Sequence, residues 1–303
     1  ADPDREVLVT AGATEALAAT ILALVEEGDE IVTFEPFYDA YAAMVGLSKA
    51  VHRTVPLRAP HFQPDPDDLR AAVTDRTRII LINNPHNPTG SVLSREILEL
   101  IVRLAHLHDA IIVTDEVYEH LVFGTPHIPI ATLPGARERT VTISSGGKTF
   151  NTTGWKIGWI VAPHELIEVI LAVKQFLTYV NGAPFQPAIA VGLGLPDSFY
   201  THVADDLRSK RDVLAAGLTT AGFAISQPQG AYFIVADVAP LGHTDAADFC
   251  RALPSLAGVV AVPITAFVRA ENRHDYRSLV RFAFCKKVEV LERASAQLAQ
   301  LAR

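Results

Sequence analysis

Residues 139–161 read RTVTISSGGKTFNTTGWKIGWIV. Two runs rich in Val, Ile and Thr, RTVTIS (139–144) and KIGWIV (156–161), have the composition of strands. Only a short segment dense in Gly, Ser and Thr separates them. Parallel neighbours need a crossover of a dozen or more residues, usually a helix, and this connection leaves no room for one. The second run is therefore expected to lie antiparallel to its neighbour.

Working outward, EVLVT (6–10), EIVTF (30–34), KAVHRTV (49–55), RIILIN (78–83) and DAIIVTD (109–115) read as five further strands. Helical patterns fall between them at 14–27, 67–73 and 94–108. Strands that are almost continuously Val, Ile and Leu, separated by helices, predict a mostly parallel seven-stranded sheet with helices on both faces. This is an α/β architecture. After about Gly194 the texture changes to a long amphipathic segment (197–221), then AISQPQGAYFIVADV, GVVAVPI, LVRFAFCK and a last helix. That order predicts a smaller α+β domain. The expected boundaries are 1–193 for the large unit and 194–303 for the small one.

Of the 303 residues, 49% are hydrophobic and 20% charged, which supports a sizeable core. The net charge of -8 leaves no basic surplus to neutralise phosphates, so no nucleic-acid partner is expected. Cys250 and Cys285 are far apart and have no ligand-like spacing, so no metal site is expected. No apolar run of membrane-spanning length and no signal-peptide pattern is present, and a cytoplasmic protein is expected.

In open α/β sheets ligands lie beyond the carboxyl ends of the strands. Polar residues follow the strands here. Gly12, Ala13 and Thr14 open a helix, with Thr14 expected as its N-cap; such an end offers free N–H groups to phosphate. Tyr38, in EPFYDAY, could stack on a planar ring. Pro85 and Pro88 stiffen NNPHNPTG and make Asn87 a positioned donor. Asp115 ends a strand of apolar residues and needs a partner, which a protonated pyridine nitrogen would be; Tyr118 could reach the same ligand. Lys148 and Ser145 follow the next strand, and Lys156 lies a little further on. Taken singly, each has an ordinary structural reading as a turn, a core aromatic, a helix cap or a solvated charge. Together they describe a site for a phosphorylated, planar, basic heterocycle with an aldehyde, namely pyridoxal 5′-phosphate.

On these residues the chain resembles the class I/II aminotransferases of the fold type I pyridoxal-phosphate superfamily. The resemblance runs from Val7 to about Ala302 and rests most heavily on SxxK with a basic residue eight positions on and GW just before it. EPFYDAY, NNPHNPTG, TDEVYEHLVF, GKTFNTTGWKIGW and GAPFQPA resemble the kynurenine/glutamine aminotransferase branch, especially bacterial N-succinyldiaminopimelate aminotransferase-like proteins. The resemblance implies that Lys148 forms the Schiff base with the cofactor and then shuttles a proton. Ser145, Lys156 and the amides of Gly12, Ala13 and Thr14 would bind its phosphate, though many relatives carry Arg where Lys156 stands. Tyr38 would stack on the ring, Asp115 would hold the pyridinium proton, and Asn87 and Tyr118 would bond the phenolic oxygen. Arg281, in LVRFAF, would clamp the substrate carboxylate. The implied substrates are an amino acid (N-succinyl-diaminopimelate, glutamine or an aromatic amino acid) and a 2-oxo acid such as 2-oxoglutarate, and the implied assembly is a homodimer. The family also implies a region ahead of Ala1, so the expectation is a chain whose beginning is missing. A cysteine-S-conjugate or cystathionine β-lyase shares every one of these residues, and an effector-binding domain of a transcription regulator shares the fold.

Overall fold

The computed structural model describes residues 1–302. Strand β1 (Val7–Thr10) leads into α1 (Gly12–Leu24), β2 (Glu30–Glu35), α2 (Asp39–Ser48), β3 (Val51–Pro56), α3 (Pro66–Ala72), β4 (Thr77–Asn83), α4 (Arg95–Leu107) and β5 (Ile111–Asp115). Then come β6 (Thr140–Ser145), the short α5 (Gly146–Thr149), β7 (Gly158–Val161), α6 (His164–Lys174) and α7 (Gln186–Leu193). These strands form one sheet in the order β1-β7-β6-β5-β4-β2-β3. The β2–β3, β2–β4, β4–β5 and β5–β6 pairs are parallel, and β7 is antiparallel to both β6 and β1. Only β7 is reversed: residues 146–157, which join it to β6, hold the four-residue α5 and a single turn at Thr153–Trp155, too little for a helical crossover.

Strand parity builds two cores. Ile31, Ile79, Leu81, Ile111 and Val113 face α1, α2 and α6, where Leu17, Ile21, Tyr41 and Ile170 meet them. Their neighbours Val32, Ile80, Ile82 and Ile112 face the other way, toward Leu98, Ile101 and Leu104 of α4. Burying each such aliphatic side chain is worth about 1.5–3 kcal/mol, so this alternation holds the central strands in register. Ser94 caps α4 through Ile97 N, and Asp65 caps α3 through Asp67 N at 2.8 Å with Pro66 next in the chain.

Helix α8 (Asp197–Thr220) leads into β8 (Ala224–Ser226), β9 (Phe233–Asp237), α9 (Ala246–Ala257), β10 (Val262–Pro263), β11 (Leu279–Ala283) and α10 (Val288–Leu298). The second sheet is four-stranded and antiparallel, in the order β10-β11-β9-β8. Its core joins Ile234, Ala236, Val280 and Phe282 to Leu214, Leu218, Phe249 and Leu291. The two sheets meet at the loop after β4. There Gly90 has φ +72° and lies so near Pro228 that a Cβ would sit 2.5 Å from its Cβ. A side chain at Gly90 would push the loop after β4 away from the small sheet. No described helix is long and apolar enough to cross a membrane.

Some element ends differ from the sequence reading. The first helix begins at Gly12 rather than 14 and ends at Leu24 rather than 27, because the backbone turns extended at Val25. Thr14 is not its N-cap. That position is Ala11, whose amide is taken by the Glu15 carboxylate reaching back from the first turn, so the Thr14 side chain has no capping role. The strand expected from 156 begins at Gly158, because Lys156 has φ +56°.

Candidate active site

Because only β7 is reversed, its start lies at the same sheet edge as the carboxyl ends of its neighbours. The site is built along that edge. In the order of the strands it runs from the start of α1, after β1, past Lys156, before β7, to Ser145 and Lys148, after β6. It then reaches Asp115 at the end of β5, the loop after β4, and Tyr38 after β2. A cleft of about 730 Å³, counted with the solvent at its mouth, is lined by all the sequence-predicted residues except Arg281.

At one side, Gly12 has φ +75° and Lys156 folds over it. The Lys156 Nζ and Cε lie 3.5 Å from where a Gly12 Cβ would stand. Gly158 closes the same corner: a Cβ there would stand 2.6 Å from Gly12 C and 2.8 Å from Ala13 N. The first amides of α1 and one ammonium are thus brought into one small region, an arrangement that favours an anion. Ser145 pairs with Gly158 across β6–β7, and its hydroxyl does not cap α5.

Asp115 shares strand parity with Ile111 and Val113 and is fully buried on the same face. Its Oδ2 accepts from the Tyr41 hydroxyl at 2.8 Å, and its Oδ1 accepts only a long 3.4 Å bond from Val117 N. Burial pushes the carboxyl up to about 6, against the pull of Tyr41, Val117 N and Lys148; Glu116 adds to the push. The backbone carbonyl of Asp115 accepts from Asn83 Nδ2 at 2.8 Å, and Asn83 Oδ1 accepts from Asn87 N at 2.7 Å. The loop after β4 is therefore fixed to the acid. His86 stiffens it further through Thr89 Oγ1 at 2.7 Å; burial lowers His86 to about 3, so it stays neutral.

Arg281, on β11, donates from Nη1 to Asn87 Oδ1 at 2.9 Å. Guanidinium has no acceptor, so the Asn87 oxygen must face it and the Asn87 NH₂ is left for the cleft. The guanidinium carbon lies 4.3 Å from the Phe233 ring centroid and 4.5 Å from that of Phe267. Arg281 thus stands behind Asn87, held between two aromatic faces. Lys148 Nζ lies 5.9 Å from the Tyr118 ring centroid and 6.0 Å from that of Tyr232. The Tyr118 and Tyr232 rings meet edge to face at 5.3 Å, and burial holds the Tyr118 phenol well above its ordinary range. The half-buried Tyr38 is raised as well, mainly by burial.

Sequence reasoning passed over Tyr41, Asn83, Thr153 and Tyr232. Tyr41 stands inside EPFYDAY, three residues from Tyr38, and Tyr232 stands inside AISQPQGAYFIVADV, which reads only as part of the small domain. Asn83 is the last residue of its strand, the position that marked Asp115.

The sequence matches the family described as aminotransferase class I and II over residues 1–298. The probable N-succinyldiaminopimelate aminotransferase of Mycobacterium tuberculosis is 50% identical over 99% of this chain and 78% of its own length. A solved structure of N-succinyldiaminopimelate aminotransferase from that organism superposes with a TM-score of 0.96, covering 99% of this chain and 78% of that one. Methionine aminotransferase of Escherichia coli is 37% identical, covering 99% of this chain and 77% of its own. Human kynurenine–oxoglutarate transaminase 3 is 36% identical, covering 97% and 70%.

Proposed function

Because this chain belongs to the class I and II aminotransferases, a family that uses pyridoxal phosphate, we propose that it holds this cofactor in the strand-end cleft. Its substrates in this reading are N-succinyl-diaminopimelate and other long or aromatic amino acids as donors, and 2-oxoglutarate as acceptor. The residues present fit the cofactor. Gly158 lets β7 close on the start of α1, and Gly12, with φ +75°, lies under Lys156, so the first amides of α1 and an ammonium share one corner, while the weakly bonded Asp115 Oδ1 calls for a cationic donor. When bound, pyridoxal phosphate supplies an electron sink for breaking bonds at the substrate's α-carbon.

The chain's own groups would do the rest. Lys156, the Ser145 hydroxyl and the first amides of α1 bind the phosphate. Asp115 keeps a proton on the ring nitrogen, and Asn87 and Tyr118 donate to the ring's phenolic oxygen. Tyr38 stacks on the ring. Lys148 Nζ, 5.9 Å from the Tyr118 ring centroid and 6.0 Å from that of Tyr232, would hold the cofactor's aldehyde and would serve as the base for the substrate's α-proton. Arg281, held by Phe233 and Phe267, offers its remaining N–H groups to the α-carboxylate.

The observation that carries this reading is the order of anion site, lysine, acid, amide and aromatic along one sheet edge. The donor choice is supported by the 50% identity to the mycobacterial relative. The test is to add pyridoxal phosphate to the purified chain, reduce with borohydride and map the labelled peptide, then to measure glutamate formation from 2-oxoglutarate across a donor panel. A label on Lys156 in place of Lys148, or strict use of aspartate, would refute the reading.

The boundary at 193/194 belongs to the same proposal, supported by the Gly194–Pro196 break between α7 and α8. So does a homodimer. Phe176, Tyr179, Val180 and Val191 are 72–84% exposed on and between α6 and α7, an apolar face that calls for a partner. This face backs onto the anion site, because Trp155 stacks on Phe185 at 5.0 Å and Asn181 donates to Lys156 O. Sedimentation at assay concentrations tests it, and a fully active monomer would refute it. The free thiols of Cys250 and Cys285 are consistent with the cytoplasm.

A further inference from the structure

Asp115 lies at the polar edge of the core that joins Ile79, Ile111 and Val113 to α2. A carboxylate there needs donors, and it has one short one, the Tyr41 hydroxyl at 2.8 Å. Tyr41 is 2% exposed, and its amide donates to Tyr38 O at 2.9 Å. Its ring meets that of Tyr38 edge to face at 5.7 Å. The hydroxyl therefore reaches Asp115 from a side chain that cannot swing away.

We propose that Tyr41 is a positioning residue for the reaction, and that it keeps Asp115 ionised with Oδ1 directed to the cleft. The choice of a phenol is what makes this work. Burial raises Tyr41 well above its ordinary range, so it stays protonated and can only donate to the carboxylate. An ammonium or guanidinium in its place would form an ion pair and neutralise Asp115 before the ring nitrogen could. A neutral donor occupies Oδ2, supports the charge and leaves that charge for the ligand. Oδ1, with its single long bond from Val117 N, is the oxygen left in need. The inference rests on the cofactor reading of the cleft.

The test uses holoenzyme reconstituted with pyridoxal phosphate carrying ¹⁵N in the ring. In wild type the nitrogen should resonate as a protonated pyridinium. In Tyr41→Phe, which keeps the ring and removes the hydroxyl, the signal should move toward unprotonated pyridine. The same variant should lose about ten- to a hundred-fold in kcat, the scale of one hydrogen bond to a charged group, with both KM values little changed. In an Asp115→Asn background, adding Tyr41→Phe should change kcat by less than about two-fold. A wild-type nitrogen signal in Tyr41→Phe, or an equal loss in both backgrounds, would overturn the proposal. If Tyr41→Phe folds only in the Asp115→Asn background, the stranded charge was the cause and the proposal stands; if it folds in neither, Tyr41 is structural and the proposal falls. A wild-type chain with no bound pyridine signal refutes the cofactor reading itself. An unchanged signal in Tyr41→Phe alone refutes only the role of Tyr41.

Discussion

Asp115 is costly to the empty protein. Its carboxyl is raised to about 6 by burial, above its ordinary value of 3.8. Between those two values the folded chain binds a proton that the unfolded chain does not, so stability falls as pH rises through this window. Above about pH 6 the whole penalty is present, on the order of 3 kcal/mol. Cofactor-free Asp115→Asn should therefore gain stability over wild type at pH 8 and lose most of that advantage at pH 4.5. Urea unfolding of both proteins at the two pH values measures it, and a difference independent of pH would show that folding leaves the Asp115 carboxyl unshifted. Once the cofactor is bound the sign reverses, because the charge then has its partner. The same substitution should cut turnover far more than cofactor affinity, since the charge matters most while electrons flow into the ring. Arg281→Lys should raise KM for donor and acceptor alike by about 10- to 150-fold, the value of one charge-assisted bond, because an ammonium makes one bond where guanidinium makes two. It should also lose the hold of Phe233 and Phe267, which a steady-state comparison with unchanged constants would disprove.

At the scale of elements, β7 is the piece that completes the site. Its reversal places Lys156 beside the start of α1, and Gly158 lets the two backbones close. Gly158→Ala sets a methyl 2.6–2.8 Å from backbone atoms of Gly12 and Ala13, which cannot yield as a side chain tip would. It should cost about 1–3 kcal/mol in stability and weaken uptake of pyridoxal phosphate as well. Denaturant titration and cofactor titration read the two effects; intact affinity would place the anion elsewhere. The strands were legible because each is a short apolar run with clear ends, and the reversal was legible from the length of the 145–155 connection alone. The placement of Asp115, Lys148 and Asn87 at one sheet edge was legible because polar residues at the carboxyl end of an apolar strand, or in the few residues that follow it, gather there. The start of α1 was misread because Glu15, not Thr14, supplies the side-chain bond at that end. Tyr41 and Tyr232 were missed for another reason. Their partners lie far away in sequence, Asp115 74 residues from Tyr41, and no local pattern records such a pairing.

At the scale of the molecule, Arg281 comes from the small sheet and Asp115 from the large one, so the site depends on how the two sheets are joined. One joint is Glu35, the buried last residue of β2. Its carboxylate accepts from Asn272 Nδ2 at 2.6 Å and from Arg269 N, and its carbonyl accepts from the Tyr276 hydroxyl at 3.0 Å. Two residues on, Phe37 N donates to Phe267 O at 2.8 Å. Phe267 is one of the two rings that hold Arg281, and Tyr38 follows Phe37 in the chain. Glu35 therefore ties the strand that leads to Tyr38 to the segment just after Phe267, and it does not line the cleft. Glu35→Ala strands the donors of Asn272 and Arg269, which should destabilise the fold by about 1–3 kcal/mol. Its functional effect should be lopsided. Affinity for substrates with an α-carboxylate should fall, because Phe267 and Arg281 shift together, while pyridoxal phosphate held along the large sheet should bind nearly as in wild type. Measuring KM for 2-oxoglutarate beside the cofactor dissociation constant separates these. Equal losses in both, or a change in neither with the fold intact, would mean that Glu35 does not govern the seat of Arg281.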